Sequence, residues 1–388
     1  MSSIEPDRQR LFDSLTGLVA CRTENPPGNE SEAADRLAKE MSAAGFAVSR
    51  QTVFSGRDNV VGVLENGAGA GLAFCSHTDT VPVGEGWSGS PFKLRQMNGH
   101  LVGRGACDAK GQVASMLEAG LLLAADRERW RGRLMLAFVV DEEIGGAGAR
   151  AVAATAKGID RVVIGEPTGL QLMAAHKGVV RPKIRVHGKS AHSGTPHRGV
   201  NAITSAMRLI ELLAAEDARL RQQFHPLVGP ASLSVTRIFA GVADNIIPPA
   251  CDLIIDRRML PGETFAEVDA QIDAIRAKAA EQGVCSDVLG HTSRAGPAEI
   301  ALDDPLAQAA LAASHRHAPK EMPPGGFLGG CDLVHFDAVG IKGLVMGPGD
   351  LAQAHTPDEW IDAEELVQGV KVYRDLALDW FRRMGATA

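Results

Sequence analysis

His77 and Asp79 stand two residues apart just after an apolar run, Leu72-Ala73-Phe74-Cys75. The run reads as a buried strand, and alternate residues of an extended chain point the same way. The imidazole and the carboxylate can therefore form the pair that fixes a metal-ligating histidine's tautomer and raises its basicity. Further acids recur at similar junctions: Asp108 ahead of a helix-like run over 112–125, Asp141, Glu142 and Glu143 after the apolar run 133–140, and Glu166 after 161–164. Each alone has an ordinary reading. His-x-Asp is a common hydrogen-bonded pair, Asp108 suits a helix N-cap, and three adjacent acids suit a solvated loop. The ends of buried strands are where α/β sheets gather ligands, and the recurrence there groups His77, Asp108, Glu143 and Glu166 as a hard-oxygen site with one imidazole. Zinc accepts such donors.

Other residues capable of chemistry are more scattered. His187, His192 and His197 fall within eleven residues around a Gly/Ser-rich loop, a cluster that sets a functional role level with a plain surface one. Asn245 and Arg258 are candidates to hold an anionic substrate, arginine because its fork matches a carboxylate. Gly329 and Gly330 lie in a glycine-rich loop, and His355 follows a buried strand. His315 and His317, two apart on a helix, do not face one site.

The elements that position these residues alternate between strand and helix. Helical spacing predicts helices over 8–22, 30–44, 112–125, 303–313 and 363–384, and apolar runs predict strands over 47–53, 59–64, 72–75, 133–140, 161–164 and 341–346. From 179 to 292 the order becomes strand, helix, strand, strand, helix, strand, the βαββαβ pattern of a ferredoxin-like domain. The expectation is an α/β protein in which residues 1–178 and 293–388 form one domain with a central mixed sheet and 179–292 is an insert with its own core.

The chain has 388 residues, 45% of them hydrophobic and 22% charged, with a formal net charge of −7. No basic stripe is present to neutralise phosphates, so nucleic acid is not an expected partner. Residues 1–8 are polar and lack a signal-peptide core, and no run of about eighteen apolar residues occurs, so a cytoplasmic protein without membrane contact is expected. The six cysteines, Cys21, Cys75, Cys107, Cys251, Cys285 and Cys331, contain no Cys-x-x-Cys pair and read mainly as reduced core residues.

Six blocks, 77–82, 105–111, 141–143, 165–168, 190–193 and 354–355, follow the order and spacing of the dinuclear zinc M20 peptidase/deacylase family, and the chain resembles that family over nearly its whole length. The resemblance implies a catalytic domain holding two Zn²⁺, with Co²⁺ or Mn²⁺ as substitutes, and an inserted lid and dimerisation domain. It implies His77 and Glu166 on one zinc, Asp108 bridging, Glu143 and His355 on the second, Asp79 orienting His77, and Glu142 as general base. A histidine at the position of His192 would reach into the partner's site of a homodimer to stabilise the oxyanion, while Asn245, Arg258, Gly329 and Gly330 would meet the substrate carboxylate. Blocks at 165–171, 175–178, 199–203, 260–262 and 347–355 look most like acetylornithine deacetylases, with a small N-acyl amino acid or short peptide as substrate.

Succinyl-diaminopimelate desuccinylases, other N-acyl-amino-acid amidohydrolases and M20 di- or carboxypeptidases are the related alternatives. A non-catalytic binding protein on this fold and a thiol hydrolase using Cys107 or Cys331 are the remote ones. Two positions depart from the family pattern. Cys107 and Ala109 flank Asp108 where a small residue and often Met are usual, and the loop 329–334 lacks the family's Thr-Asp or Thr-Glu arrangement.

Overall fold

Apolar residues on both faces of four strands dictate the centre of the molecule. In the computed structural model, which describes residues 5–385, Gly132–Val139, Gly71–His77, Arg161–Ile164 and Lys342–Val345 lie side by side and parallel. The polar start behind the expectation of a cytoplasmic protein includes residues 1–4, which lie outside the described residues. Leu72, Phe74, Leu134, Leu136, Phe138, Val163 and Leu344 are all fully buried on these strands, as a parallel sheet covered on both faces requires. Antiparallel strands extend the sheet on either side, Arg57–Asn66 and Ala47–Phe54 beyond Gly132–Val139, and Met173–His176 beyond Lys342–Val345.

The helix Lys110–Ala125 is buried almost all round and packs on the sheet and on the long helix Ala363–Gly385. Such an approach needs small residues: a Cβ on Gly120 would come within 2.6 Å of the Leu136 side chain. A separate three-stranded sheet joins Arg95–Met97, His100–Val102 and Trp360–Asp362. His100 stacks on Trp360 with ring centroids 3.8 Å apart.

The chain divides into two compact units, Met1–Ala175 with Glu299–Phe327 and Cys331–Ala388, and His176–Ala298 with Leu328–Gly330. In the second unit the strands Gly178–His187, Ser232–Ala240, Ala250–Met259 and Cys285–Ala295 alternate with the helices Ala202–Leu220 and Phe265–Glu281 in βαββαβ order. Its sheet runs Ser232–Ala240, Ala250–Met259, Gly178–His187, Cys285–Ala295, every pair antiparallel, the ferredoxin-like arrangement. Along Gly178–His187 Val180, Ile184 and Val186 are buried and alternate with Arg181, Lys183 and Arg185, so one face meets the core and the other carries charge. Each helix is capped by its own sequence. Asn201 accepts the N–H of Ile203 and Thr204, and Thr264 with Glu267 forms a capping box.

Of the two readings of Asp108, the N-cap falls away: Ala109 occupies that position, without a side-chain cap. The short strands at 95–97, 100–102, 173–176 and 360–362 were absent from the sequence reading because none is a β-branched apolar run of the kind that marks 161–164.

Candidate metal centre

The parallel strands deliver the acids to one edge. His77 closes Gly71–His77 in register with Val139, Asp141 to Glu143 follow Val139, and Glu166 follows Ile164, all at the carboxyl ends of neighbouring strands. Asp108 arrives on the turn ahead of Lys110–Ala125, and His355 on the loop after Lys342–Val345.

Asp108 lies between two histidines. Its Oδ1 is 3.1 Å from His77 Nε2 and its Oδ2 is 3.3 Å from His355 Nε2, which also lies 3.2 Å from Glu143 Oε2. Ligand atoms of His77, Asp108 and Glu143 fall within 4.8 Å of one another. His77 Nδ1 sits 3.0 Å from the backbone carbonyl of Asp79, which assigns the ring proton to Nδ1 and leaves an Nε2 lone pair facing a carboxylate. Two acceptors cannot face each other at that distance without a positive charge between them.

A proton is one solution. Burial opposes it on His77, yet the Asp108 and Asp79 carboxylates outweigh burial and raise the imidazole well above its usual range. Asp108 and Glu143 likewise push His355 up to about 10. A divalent cation is the other. Zinc with ligand bonds of about 2.0–2.2 Å sets tetrahedral ligand atoms roughly 3.3–3.6 Å apart, close to the separations around Asp108. Glu166, at the end of the neighbouring strand, is 4% exposed and its Oε1 is buried with no hydrogen-bond partner. Burial drives the Glu166 carboxyl well above its ordinary range, a cost that a bound cation removes. His77, Asp108 and Glu143 are donors of the kind a divalent cation accepts, and the Glu166 carboxyl is of the same chemical kind.

Behind these residues lies a second set. The Asp79 carboxylate accepts Asn25 Nδ2 at 2.9 Å and the backbone N–H groups of Glu142 and Glu143 at 3.2 and 3.3 Å. It approaches His77 Nδ1 only to 3.6 Å, so the imidazole is oriented chiefly by the backbone of Asp79. Arg57, buried against Glu30 at 2.7 Å, also meets Asp141 at 3.4 Å. Glu359 accepts the backbone N–H of both Cys107 and Asp108. Asn25, Glu30, Arg57 and Glu359 escaped the sequence reading, since each partner lies many residues away and neither residue of a pair forms a local motif.

Glu142 is partly exposed at the edge of the cluster, and burial together with the neighbouring acids raises its carboxyl well above the ordinary range. Asp332, in the loop that departs from the family pattern, is buried with Oδ2 unpartnered, and burial pushes it up to about 7. The Cys107 and Cys331 thiols are held well above their usual range by burial, the opposite of what a nucleophilic thiolate needs. A cleft of about 850 Å³ beside Trp130, Arg316 and Asp375 shares no lining residue with this cluster.

The remaining expected residues belong to the second unit. His192 is exposed, with Nδ1 accepting the Gly194 N–H at 3.0 Å. Asn245 is exposed, and Arg258 is ion-paired with Asp256 at 2.7 Å. Gly329 and Gly330 fall in the Leu328–Gly330 stretch grouped with that unit.

Residues 73–379 match the model of peptidase family M20/M25/M40. The chain belongs to this family. Membership makes it a metal-dependent amidohydrolase. The acetylornithine deacetylase of Proteus mirabilis (strain HI4320) is 34% identical over 335 residues, covering 84% of each chain. The fold matches the aminopeptidase PepT of Bacillus cereus ATCC 10987 (TM-score 0.79, 21% identity, 97% of this chain and 99% of that one). It also matches a dinuclear metal-binding M20 peptidase of Bacillus subtilis (TM-score 0.75, 19% identity, 96% and 97%). Among the described residues no helix is long and apolar enough to cross a membrane.

Proposed function

We propose that the chain is a cytoplasmic zinc deacylase that cleaves the amide bond of an N-acyl amino acid, with N-acetylornithine as the leading substrate. The observation that carries this reading is the placement of the Asp108 carboxylate, one oxygen toward His77 and the other toward His355. That is the disposition of a bridging ligand. His77, Asp108 and Glu166 would hold one ion, and Asp108, Glu143 and His355 the other.

When bound, two such ions make hydroxide available from a shared water near neutral pH and polarise the scissile carbonyl. Glu142, adjacent to Glu143 but outside the ligand set, takes the proton of the attacking water and hands it to the amide nitrogen as the C–N bond breaks. The products are a carboxylic acid and a free amine. Similarity to the Proteus acetylornithine deacetylase supports the acyl-amino-acid substrate.

The second unit acts in this reading as lid and dimerisation domain. Its Ile203, Met207, Ile238, Phe239 and Val242 are exposed apolar side chains, of the kind a second copy would cover. His192 would stabilise the oxyanion in the partner's site, and Asn245, Arg258, Gly329 and Gly330 would receive the substrate carboxylate.

The deciding experiment assays metal-replete protein against N-acetylornithine, N-succinyl-diaminopimelate, other N-acetyl amino acids and dipeptides, with metal content measured on the same sample. Fastest turnover of N-acetylornithine with two zinc per chain is the expected result. Preference for the succinyl substrate moves the assignment to a desuccinylase, and hydrolysis of none removes the deacylase reading.

A further inference from the structure

Arg104 and Glu359 have no part in the chemistry proposed above, yet they form one of the most deeply buried ion pairs in the first unit. Their side chains are 2% and 1% exposed, with Nη1 and Oε2 2.6 Å apart. Taking two such charges out of water costs several kcal/mol per ion unless their other donors and acceptors are also used. Here all but Arg104 Nε, which is buried without a partner, are spent on the loops of the metal centre.

Glu359 Oε1 accepts the backbone N–H of Cys107 and of Asp108, both at 2.9 Å. Arg104 Nη2 donates to the Val83 carbonyl at 3.1 Å, Nη1 reaches the Thr356 carbonyl at 3.4 Å, and the guanidinium lies over the Trp87 ring. One ion pair therefore ties together the segment that follows His77 and Asp79, the turn that bears Asp108, and the loop that begins at His355. The three-stranded sheet makes the meeting possible. Trp360 pairs with Val102 and the Gly103 N–H donates to the Glu359 carbonyl at 2.9 Å, which delivers the glutamate to a residue 251 positions away. The turn's own backbone closes the Ala106 N–H on the Gly103 carbonyl at 3.0 Å and the Lys110 N–H on the Gly105 carbonyl at 2.8 Å, while the N–H groups of Cys107 and Asp108 have Glu359 as their acceptor and Ala109, the N-cap of the following helix, offers no side-chain acceptor. The same pair reaches the His355 loop through the Thr356 carbonyl, which lies between His355 and Asp358, both in left-handed backbone with φ 64° and 52°.

We propose that Glu359, clamped by Arg104, is a positioning residue of the metal centre: its carboxylate fixes the Asp108 backbone so that the two aspartate oxygens face His77 and His355. The proposal rests on the metal-centre reading given above, and its test separates the two.

Zinc stoichiometry and affinity are measured by chelator competition on metal-free protein, alongside circular dichroism, kcat and KM, for the parent, Asp108→Ala, Glu359→Gln and Glu359→Ala. Asp108→Ala is the control on the metal reading, and parent-like zinc binding by it would end that reading itself. With that control lost as expected, Glu359→Ala binds zinc more weakly by about 10- to 100-fold, the usual effect of removing a group that orients a ligand, and kcat falls while KM changes little. Glu359→Gln must set its amide NH₂ against either Arg104 or the two N–H groups, so it is expected to lose zinc affinity as well. Parent-like zinc affinity in folded Glu359→Ala or Glu359→Gln overturns the positioning role and leaves the metal reading intact. Should Glu359→Ala not fold, Arg104→Lys replaces it. Lysine cannot reach Glu359, Val83 and Thr356 together, so the same loss of zinc affinity is expected, and parent-like affinity overturns the proposal.

Discussion

The carboxylate of Asp79 accepts the backbone N–H of Glu142 at 3.2 Å, so the residue expected to orient His77 also sets the turn that presents the proposed base. The same carboxylate takes the Glu143 N–H and the Asn25 amide, three donors in all. An asparagine would turn an NH₂ group toward at least one of them. Asp79→Asn is therefore expected to lower kcat by about 10- to 100-fold and to destabilise the fold by about 1–3 kcal/mol through the mismatched donor. Steady-state kinetics and thermal denaturation check both. A variant with parent kcat would show that the Glu142 turn does not depend on this contact.

Glu142 and Glu143 are neighbours in sequence with separate proposed tasks. Glu143 faces His355 at 3.2 Å, whereas Glu142 is left to move a proton. Glu142→Gln should reduce kcat by at least about 100-fold, within the range of general-base contributions, while two zinc ions still bind. Glu143→Gln should instead weaken zinc binding. Metal analysis and turnover of the two variants, measured together, would refute the division if their phenotypes were the same.

Much of this was legible because the site is written at strand ends. His77, Glu143 and Glu166 each follow an apolar run that the sequence marks clearly, and periodicity locates such runs well. The βαββαβ order was equally plain, since Val180, Ile184 and Val186 alternate with charged residues on a strand covered on one face. What stayed hidden is long-range pairing. Arg57 meets Glu30 and Asp141, and Arg104 meets Glu359, across separations of 27, 84 and 255 residues. A buried arginine and a surface arginine look alike in a single sequence. The backbone carbonyl of Asp79 as partner of His77 was hidden for a related reason: side-chain type carries no record of what a main-chain group will do.

Removal of metal separates hydrolysis through the acid cluster from hydrolysis through a thiol. Burial holds the Cys107 and Cys331 thiols well above their usual range, so neither supplies thiolate near neutral pH. EDTA or another chelator should abolish activity, added zinc should restore it, and iodoacetamide should leave it unchanged. Inactivation by iodoacetamide in proportion to labelling of Cys107 or Cys331 would reverse the conclusion.

His192 offers a test of assembly. Its side chain is exposed on the second unit, and its proposed task lies in a partner's site. His192→Ala should then retain zinc and its own fold yet lose about 10²–10³ in kcat, the scale of one lost oxyanion donor. Mixing His192→Ala with a Glu142→Gln variant should regenerate heterodimers in which one site has both groups, so activity should return. Parent-like activity of His192→Ala alone, or a mixture no more active than its parts, would remove the composite site.

The second unit also carries an acid-sensitive contact of its own. Asp252 is bound by Arg185 at 2.7 Å and by Lys183 at 2.9 Å. The Arg185 hydrogen bond, with Lys183 adding to it, draws the carboxyl down to about 2 against the opposing effect of burial. An unfolded aspartate titrates near 4 (about 3.9), so as pH falls the unfolded chain takes up this proton first. The contribution of Asp252 to stability is thus full above about pH 4 and fades as pH falls toward about 2. Asp252→Asn should have a lower melting temperature than the parent at pH 7, with the gap narrowing below pH 4 and closing near pH 2. Thermal denaturation of the two proteins across that range measures it, and a gap independent of pH would mean that Asp252 stabilises by packing rather than by its charge.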